Sequence, residues 1–176
     1  MKILIATALF PPDVAEPAPY VKELTKRLGV EHTVSVLTYG SLPEPVDGVS
    51  ITAVPKNTSP MLRFYTFTVA LYQLIKQYDV ALIENAPSTE LPAFFVSFFT
   101  DTKIFLQMSD TKIKYTGWRK FIHTLACSRL EKIEPAVPPA RPEIISFKPY
   151  PTEAFEVYEK HWTTHTENLI TTLNNS

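Results

Sequence analysis

The sequence predicts an α/β protein built on a doubly wound parallel sheet of the Rossmann-like type. Short apolar or β-branched runs alternate with longer segments whose apolar residues recur every three or four positions, which indicates parallel strands joined by helices. Three short runs, 2–8, 80–84 and 103–108, are apolar almost throughout, as in strands buried on both faces of a sheet. We therefore expect one central sheet with strand order 3-2-1-4-5-6.

The first half of the chain contains three predicted strands and two predicted helices. β-branched and apolar runs favour strands, and an apolar face of Val21, Leu24 and Leu28 favours a helix that ends before Gly29. Pro19 suits the first turn of that helix, where its missing N–H is not needed. The predicted strands cover 2–8, 33–39 and 49–54, and the predicted helices cover 19–28 and 60–78.

The second half continues the alternation and ends in a long helix. Residues 135–144, PAVPPARPEI, are too rich in proline for a helix or a central strand, so we interpret them as a linker. In the final helix, four residues recur at helical spacing and are expected to be buried: Phe155, Tyr158, Trp162 and Leu169. Predicted strands cover 80–84, 103–108, 132–137 and 144–147, and predicted helices cover 88–99, 115–126 and 152–173.

We expect one domain, residues 1–150, with a C-terminal helix, 151–176, that packs back on it. A chain of 176 residues is long enough for a single full core, and its 45% hydrophobic and 20% charged residues are typical of globular proteins. No apolar run reaches the roughly 18 residues of a membrane-spanning helix. Cys127 has no cysteine partner, so we interpret it as a core residue of a cytoplasmic protein.

Charge excludes one class of function and leaves another open. The net charge of −1 gives no broad basic field to attract nucleic acid. Segment 111–130 is locally basic, with five Lys or Arg and no Asp or Glu. This segment either packs on the sheet, the interpretation that we favour, or rests on the inner face of a membrane. Its apolar residues are predicted to share one helix face: Trp118, Phe121, Ile122, Leu125 and Ala126.

The loops at one edge of the predicted sheet are the first place to look for a ligand. In doubly wound sheets, ligands bind beyond the carboxyl ends of the strands, next to the first strand. The loop after the first strand supplies Pro12 and Asp13, and the loop after the fourth supplies Asn85 and Ser88. Asp110 follows the fifth strand. We expect these loops to line one rim.

Four segments of the first 110 residues carry a family resemblance: FPPD at 10–13, Tyr20, EHTVSVLTYG at 31–40 and YDVALIENA at 78–86. Together they resemble the N-terminal half of retaining glycosyltransferases of the GT-B fold, family 4. That family begins with a strand, then FPP, an acidic residue, a Gly-Gly pair, a tyrosine and a helix. The resemblance implies a GT-B N-terminal-type domain with Tyr20 and the loop after the first strand in its substrate site.

The position of the family's Gly-Gly pair is occupied by Ala15 and Glu16. In the family, those glycines let backbone amides reach a donor diphosphate at a helix N-terminus. A Cβ at both positions crowds that approach, and the Glu16 carboxylate repels a diphosphate by about 1 kcal/mol or more. Alternatively, Glu16 points to solvent and complements the helix dipole. The sequence leaves both interpretations open.

Asp110 is the candidate catalytic residue. The family often carries His-Asp after its fifth strand, and here only the aspartate remains. Asp110 serves either as a general base or acceptor ligand, or as a helix cap or turn former. His161 and His165 have the spacing of metal ligands but no third ligand nearby, so we expect no metal. We expect no cofactor, since no P-loop or GxGxxG occurs.

The expected function depends on whether a donor-binding domain accompanies the first domain. A GT-B enzyme has two such domains with the active site between them, and no stretch after residue 130 resembles the donor-binding domain. We interpret the chain as the acceptor-side half of a split glycosyltransferase that needs a partner donor-domain protein and takes a sugar or lipid-linked acceptor. The alternative is a non-catalytic, degenerate domain that binds a ligand, another protein or a second copy of itself. Transfer by the chain alone is a third hypothesis.

Overall fold

The computed structural model describes residues 1–15, 17–108, 116–133 and 152–175, with side chains of the last range from residue 155. The chain divides into two compact units, Met1–Glu134 and Pro135–Ser176. In chain order the described elements are β1 (Lys2–Ala6), α1 (Ala18–Leu28), β2 (Thr33–Tyr39), β3 (Ser50–Val54), α2 (Pro60–Ile75), β4 (Val80–Glu84), α3 (Pro87–Val96), β5 (Lys103–Gln107), α4 (Trp118–Cys127), β6 (Glu131–Ile133) and α5 (Thr152–Asn175).

The strands of the first unit form a parallel sheet in the order β3-β2-β1-β4-β5-β6. This confirms the predicted fold class and strand order. β1 lies at the centre, where Ile5 is opposite Val36 of β2 on one side and Leu82 of β4 on the other. From β1 the chain adds β2 and β3 on one side of the sheet and then crosses over to add β4, β5 and β6 on the other side. Such sheets bind ligands at this switch point, which lies at the carboxyl end of β1.

The apolar strand sequences fill a core on both faces of the sheet. The side chains of Ile3, Leu4, Ile5 and Ala6 are no more than 1% exposed. Three helices share one core cluster with β1, β2 and β4, in which Phe67 and Leu71 of α2 are fully buried. Burying each such large side chain contributes about 1.5–3 kcal/mol. Strands buried on both sides explain the continuous apolar runs.

Several elements end earlier than predicted, each for a local reason. β1 ends at Ala6 instead of residue 8, since the Thr7 hydroxyl donates to the Leu9 carbonyl and accepts from the Leu9 amide, which turns the chain. α2 ends at Ile75 instead of residue 78, and α3 at Val96 instead of residue 99. After each of these helices, backbone bonds between residues three apart tighten the last turn.

The last elements of the first unit agree with prediction only in part. β6 covers Glu131–Ile133 instead of 132–137, and the rest of that prediction, with strand 144–147, lies outside the described residues. α4 buries Ile122 and Ala126, but Trp118 and Phe121 are 64% and 65% exposed. The favoured interpretation, that this apolar face packs on the sheet, therefore holds for Ile122 and Ala126 but not for Trp118 and Phe121, because α4 directs only part of the face to the core.

The second unit contains the long helix α5. Trp162, His165, Leu169 and Leu173 recur every three or four residues and are buried. The Trp162 ring meets the His165 ring edge-on, with centroids 5.5 Å apart. The prediction of a buried Phe155 is wrong, since this side chain is 55% exposed in the first turn, before the buried stripe begins at Trp162. Tyr158, half-buried, lies between these two positions.

Candidate functional site

A pocket of about 260 Å³ lies beyond the carboxyl ends of β1, β2 and β3. We call it the β1–β3 pocket. Its volume is slightly below the range of about 300–1,000 Å³ that is typical of small-molecule sites, so it suits a small ligand such as one sugar ring. The pocket combines aromatic rings with a few polar groups, and its lining residues are Phe10, Pro12, Asp13, Tyr39, Gly40, Ser41, Leu42, Pro43 and Lys56.

An ion pair joins two walls of the pocket. Lys56 Nζ, after β3, lies 2.6 Å from Asp13 Oδ2, after β1. Both side chains are partly exposed, so the pair adds little to the free energy of folding. It places a carboxylate and an ammonium side by side at the pocket surface. Such a pair can exchange its mutual contact for contacts to a polar ligand.

Tyr39 forms a rigid wall of the same pocket. Its ring stacks on Phe67 with centroids 4.4 Å apart, and its hydroxyl donates to the Ser88 carbonyl at 2.9 Å. The Arg63 guanidinium carbon lies 6.0 Å from the centre of the Tyr39 ring. Burial raises the pKa of Tyr39 and the charge of Arg63 opposes this shift, so the hydroxyl stays neutral at physiological pH.

The N-terminus of α1 is poorly equipped to hold a phosphate. A helix N-terminus binds anions through backbone N–H groups that have no partner within the helix. Here Pro17 and Pro19 carry no N–H, and the Ala18 amide donates to the Ala15 carbonyl at 3.0 Å. Three of the four residues from Pro17 to Tyr20 therefore have no donor to offer a diphosphate.

A buried polar cluster lies at the carboxyl ends of β4 and β5. The Gln107 side-chain amide donates to the Tyr20 hydroxyl, and Glu84 and Asn85 beside them are at most 7% exposed. The backbone N–H of Asn85 donates to the backbone carbonyl of Gln107 at 3.2 Å. Burial raises the pKa of Tyr20, with the Gln107 bond opposing the shift and Glu84 adding to it. All four side chains are buried, and none of them lines the β1–β3 pocket.

The structure brings together only part of the predicted site. Pro12 and Asp13 line the β1–β3 pocket, and Ser88 contacts its Tyr39 wall through a backbone carbonyl. Ala15 is exposed outside the pocket lining, and Tyr20 and Asn85 are buried. Glu16 and Asp110 lie outside the described residues, so their roles stay predictions.

Sequence reasoning missed the loops after β2 and β3. Tyr39 ends a strand in the 31–40 segment, to which the resemblance gave no site role, and Lys56 and Arg63 belong to no short motif. The one available signal was position, because Gly40 follows β2, which neighbours β1 in the predicted order, and Lys56 follows β3, the next strand along. The pocket therefore extends from the switch point towards β3, whereas Asn85, predicted to lie in the site after β4, is buried.

The described residues contain neither a metal-binding cluster nor a membrane-spanning helix. No group of three or more His, Cys, Asp or Glu side chains in the described ranges is arranged to hold a metal ion. Among the helices whose residues are described, none is long and apolar enough to cross a membrane. His161 is exposed and His165 is buried, and burial lowers the pKa of His165.

Comparison with known proteins gives a fold likeness. No protein-family model and no curated protein sequence matches the chain. Two crystal structures of HepE (Alr3699) from Anabaena, one with UDP and glucose and one with UDP, superpose with TM-scores of 0.55 and 0.54 at 12% and 13% identity. Each match covers 74% of this chain and 36% of HepE, so the chain spans about a third of the length of HepE. The likeness shows the α/β fold of the chain, a parallel sheet flanked by helices.

Proposed function

We propose that this chain is the acceptor-side half of a family 4-like GT-B glycosyltransferase, and that its donor-binding half comes from a separate polypeptide. The strand order and the likeness to part of HepE support a glycosyltransferase-like domain. The resemblance of segments 10–13 and 31–40 to family 4 sequences supports the narrower assignment. Asp110 keeps its proposed role as the base or ligand for the acceptor hydroxyl.

One observation carries the proposal: the loop that lines a sugar-sized pocket with Pro12 and Asp13 leads into a helix N-terminus that is poor in phosphate-binding amides. Asp13, Ser41 and Lys56 offer polar groups to sugar hydroxyls, and Tyr39 offers an aromatic wall. Pro17 and Pro19 deprive α1 of the donors that a nucleotide diphosphate needs. Acceptor binding and donor binding are therefore best assigned to different halves of the catalytic unit.

A lipid-linked acceptor fits a second feature of the molecule. α4 exposes Trp118 and Phe121 next to the exposed side chains of Arg119 and Lys120, and it carries no acidic residue. Aromatic rings favour the membrane interface, and each nearby cation adds about 1 kcal/mol of attraction to an anionic leaflet. We propose that α4 holds the chain at the membrane surface where such acceptors are found.

A non-catalytic binding protein is the second candidate. The same shortage of amides at the α1 N-terminus favours it, because a domain that has lost its donor contacts can keep a sugar-binding pocket. This candidate binds sugar at the β1–β3 pocket and transfers nothing in any assembly. The two candidates differ in whether a donor half restores turnover.

The test is reconstitution. The chain is captured from native cell extract by cross-linking, the co-purified protein is identified and expressed, and transfer from radiolabelled UDP-glucose to a glucoside is measured for each protein alone and for the mixture. We expect transfer only in the mixture, and a loss of transfer with Asp13→Asn but not with the matched control Asp47→Asn in the exposed 41–48 loop. Glucoside binding without transfer in any mixture would favour the non-catalytic candidate.

A further inference from the structure

One cation and one carboxylate line the β1–β3 pocket, and a second cation, Arg63, lies next to its Tyr39 wall but outside the lining. Lys56 lines the pocket and pairs with Asp13. Arg63, in the first turn of α2, lies against the Tyr39 wall and donates from Nη1 to the Lys56 carbonyl at 3.3 Å. Another carboxylate close to the lining, that of Glu44, is paired with Lys22 at 2.5 Å. The balance of charge beside the pocket is therefore positive.

Arg63 is the unusual member of this set. It is half-buried, and none of the described carboxylates forms an ion pair with it. Among the described residues its guanidinium makes one hydrogen bond, to a backbone carbonyl, and so uses a single donor of the five that it carries. A half-buried arginine without a carboxylate partner is suited to receive one from a ligand, since its planar fork matches carboxylate and phosphate oxygens.

We propose that the β1–β3 pocket selects an anionic acceptor sugar, one whose ring carries a phosphate or carboxylate group, and that Arg63 and Lys56 are the residues that determine this specificity. The ring lies against Tyr39 with its hydroxyls towards Asp13 and Ser41, and the anionic group faces the two cations. The inference rests on the proposed acceptor-side function and narrows its substrate class.

Direct binding tests the proposal without a donor half. Titration calorimetry at low ionic strength uses four probes: glucose, glucose 1-phosphate, glucuronate and inorganic phosphate. We expect glucose 1-phosphate or glucuronate to bind about tenfold more tightly than glucose, as a charge-assisted pair to arginine would give. Whichever probe binds better identifies the anion. Inorganic phosphate binds more weakly than glucose 1-phosphate because it lacks the ring.

Substitutions test whether Arg63 causes the preference for an anionic sugar. Arg63→Gln is expected to weaken binding of the anionic sugar about tenfold, which abolishes its preference over glucose, and to leave glucose binding unchanged. Arg63→Lys, which keeps the charge and guards against a folding defect, keeps part of the preference. Arg119→Gln, the same charge change on exposed α4, has no effect. The proposal is overturned if glucose and both anionic sugars bind equally, or if the preference survives Arg63→Gln. In either case the proposed acceptor-side function still stands. Failure of every sugar to bind overturns both.

Discussion

Glu90 Oε1 in α3 lies 3.0 Å from His123 Nδ1 in α4. The Glu90 side chain is fully buried, and its Oε2 has no hydrogen-bond partner among the described residues. Burial raises the pKa of Glu90, whereas the hydrogen bond and charge of His123 lower it. A partly buried hydrogen-bonded Glu–His pair therefore links two neighbouring helices on the same face of the sheet.

Replacing His123 with alanine is expected to destabilise the first unit. The variant leaves a buried carboxylate without its partner, and we expect a loss of about 1–3 kcal/mol in the free energy of unfolding. Urea unfolding measures it, with His161→Ala on the exposed side of α5 as a near-neutral control. If the double variant with Glu90→Gln loses as much as the two single changes summed, the pair is not coupled.

Because of His165, the stability of the folded protein is expected to fall as the pH falls. Burial lowers the pKa of His165 below the usual 6.5, so below pH 6.5 the unfolded chain binds more protons than the folded chain. Stability from this group is fully present above pH 6.5 and is lost as the pH falls towards the lowered pKa. We expect the melting temperature to fall less between pH 7.5 and 5.5 in His165→Gln than in wild type. An equal fall in both, with exposed His161→Gln as control, contradicts the assignment.

Removal of residues 152–176 is expected to lower the melting temperature or solubility of the protein. Trp162, Leu169 and Leu173 are buried in the full chain, and losing each large buried side chain typically costs about 3 kcal/mol or more. Differential scanning calorimetry compares this truncation with one that removes only 174–176, beyond the buried stripe. An unchanged melting temperature in both would show that α5 is dispensable for stability.

The purified chain is expected to bind no nucleotide-diphosphate sugar more tightly than roughly millimolar, about 4 kcal/mol. A diphosphate needs several donors to offset its desolvation, and Pro17 and Pro19 supply none at the α1 N-terminus. Titration calorimetry with a panel of donors measures the affinity, and a transfer assay accompanies it. Micromolar binding would mean that Ala15 and Glu16 have not abolished the phosphate site and that the chain can act alone.

Binding of α4 to a membrane is expected to depend on its exposed aromatic residues. In vesicle flotation, the chain should bind vesicles rich in phosphatidylglycerol and not vesicles of phosphatidylcholine alone. Joint replacement of Trp118 and Phe121 by serine should reduce binding several-fold. Phe99→Ser removes an aromatic side chain that is 69% exposed outside α4 and serves as control. Equal loss with Phe99→Ser would assign the effect to general surface hydrophobicity.

The sheet could be predicted because its information is local. Each strand is a short run that is apolar enough to be buried on both faces, and alternation with helices then leaves few topologies. The ends of helices and strands were harder to predict, because they depend on individual hydrogen bonds such as that from the Thr7 hydroxyl to the Leu9 carbonyl. The exposed faces of α4 were missed for a related reason. Periodicity shows that apolar residues share a face, and only packing decides how far that face turns inward.

The candidate site was predicted only where a motif marks it. Pro12 and Asp13 belong to FPPD, and the structure places both in the β1–β3 pocket. Lys56 and Arg63 stand in unremarkable sequence and come to the pocket through the pairing of β3 with β2 and the start of α2. Long-range proximity of this kind is a property of the folded sheet and has no local signature.

The two prolines at the start of α1 also limit how the chain can change in evolution. Replacing Pro17 or Pro19 returns at most one N–H, and the Ala18 amide is already used by the Ala15 carbonyl. A diphosphate needs several donors at once, so no single substitution yields a functional site that selection could retain. The first steps towards such a site would bring no benefit. A lineage that carries this Pro-Ala-Pro entry into α1 is therefore committed to obtaining its phosphate contacts from elsewhere.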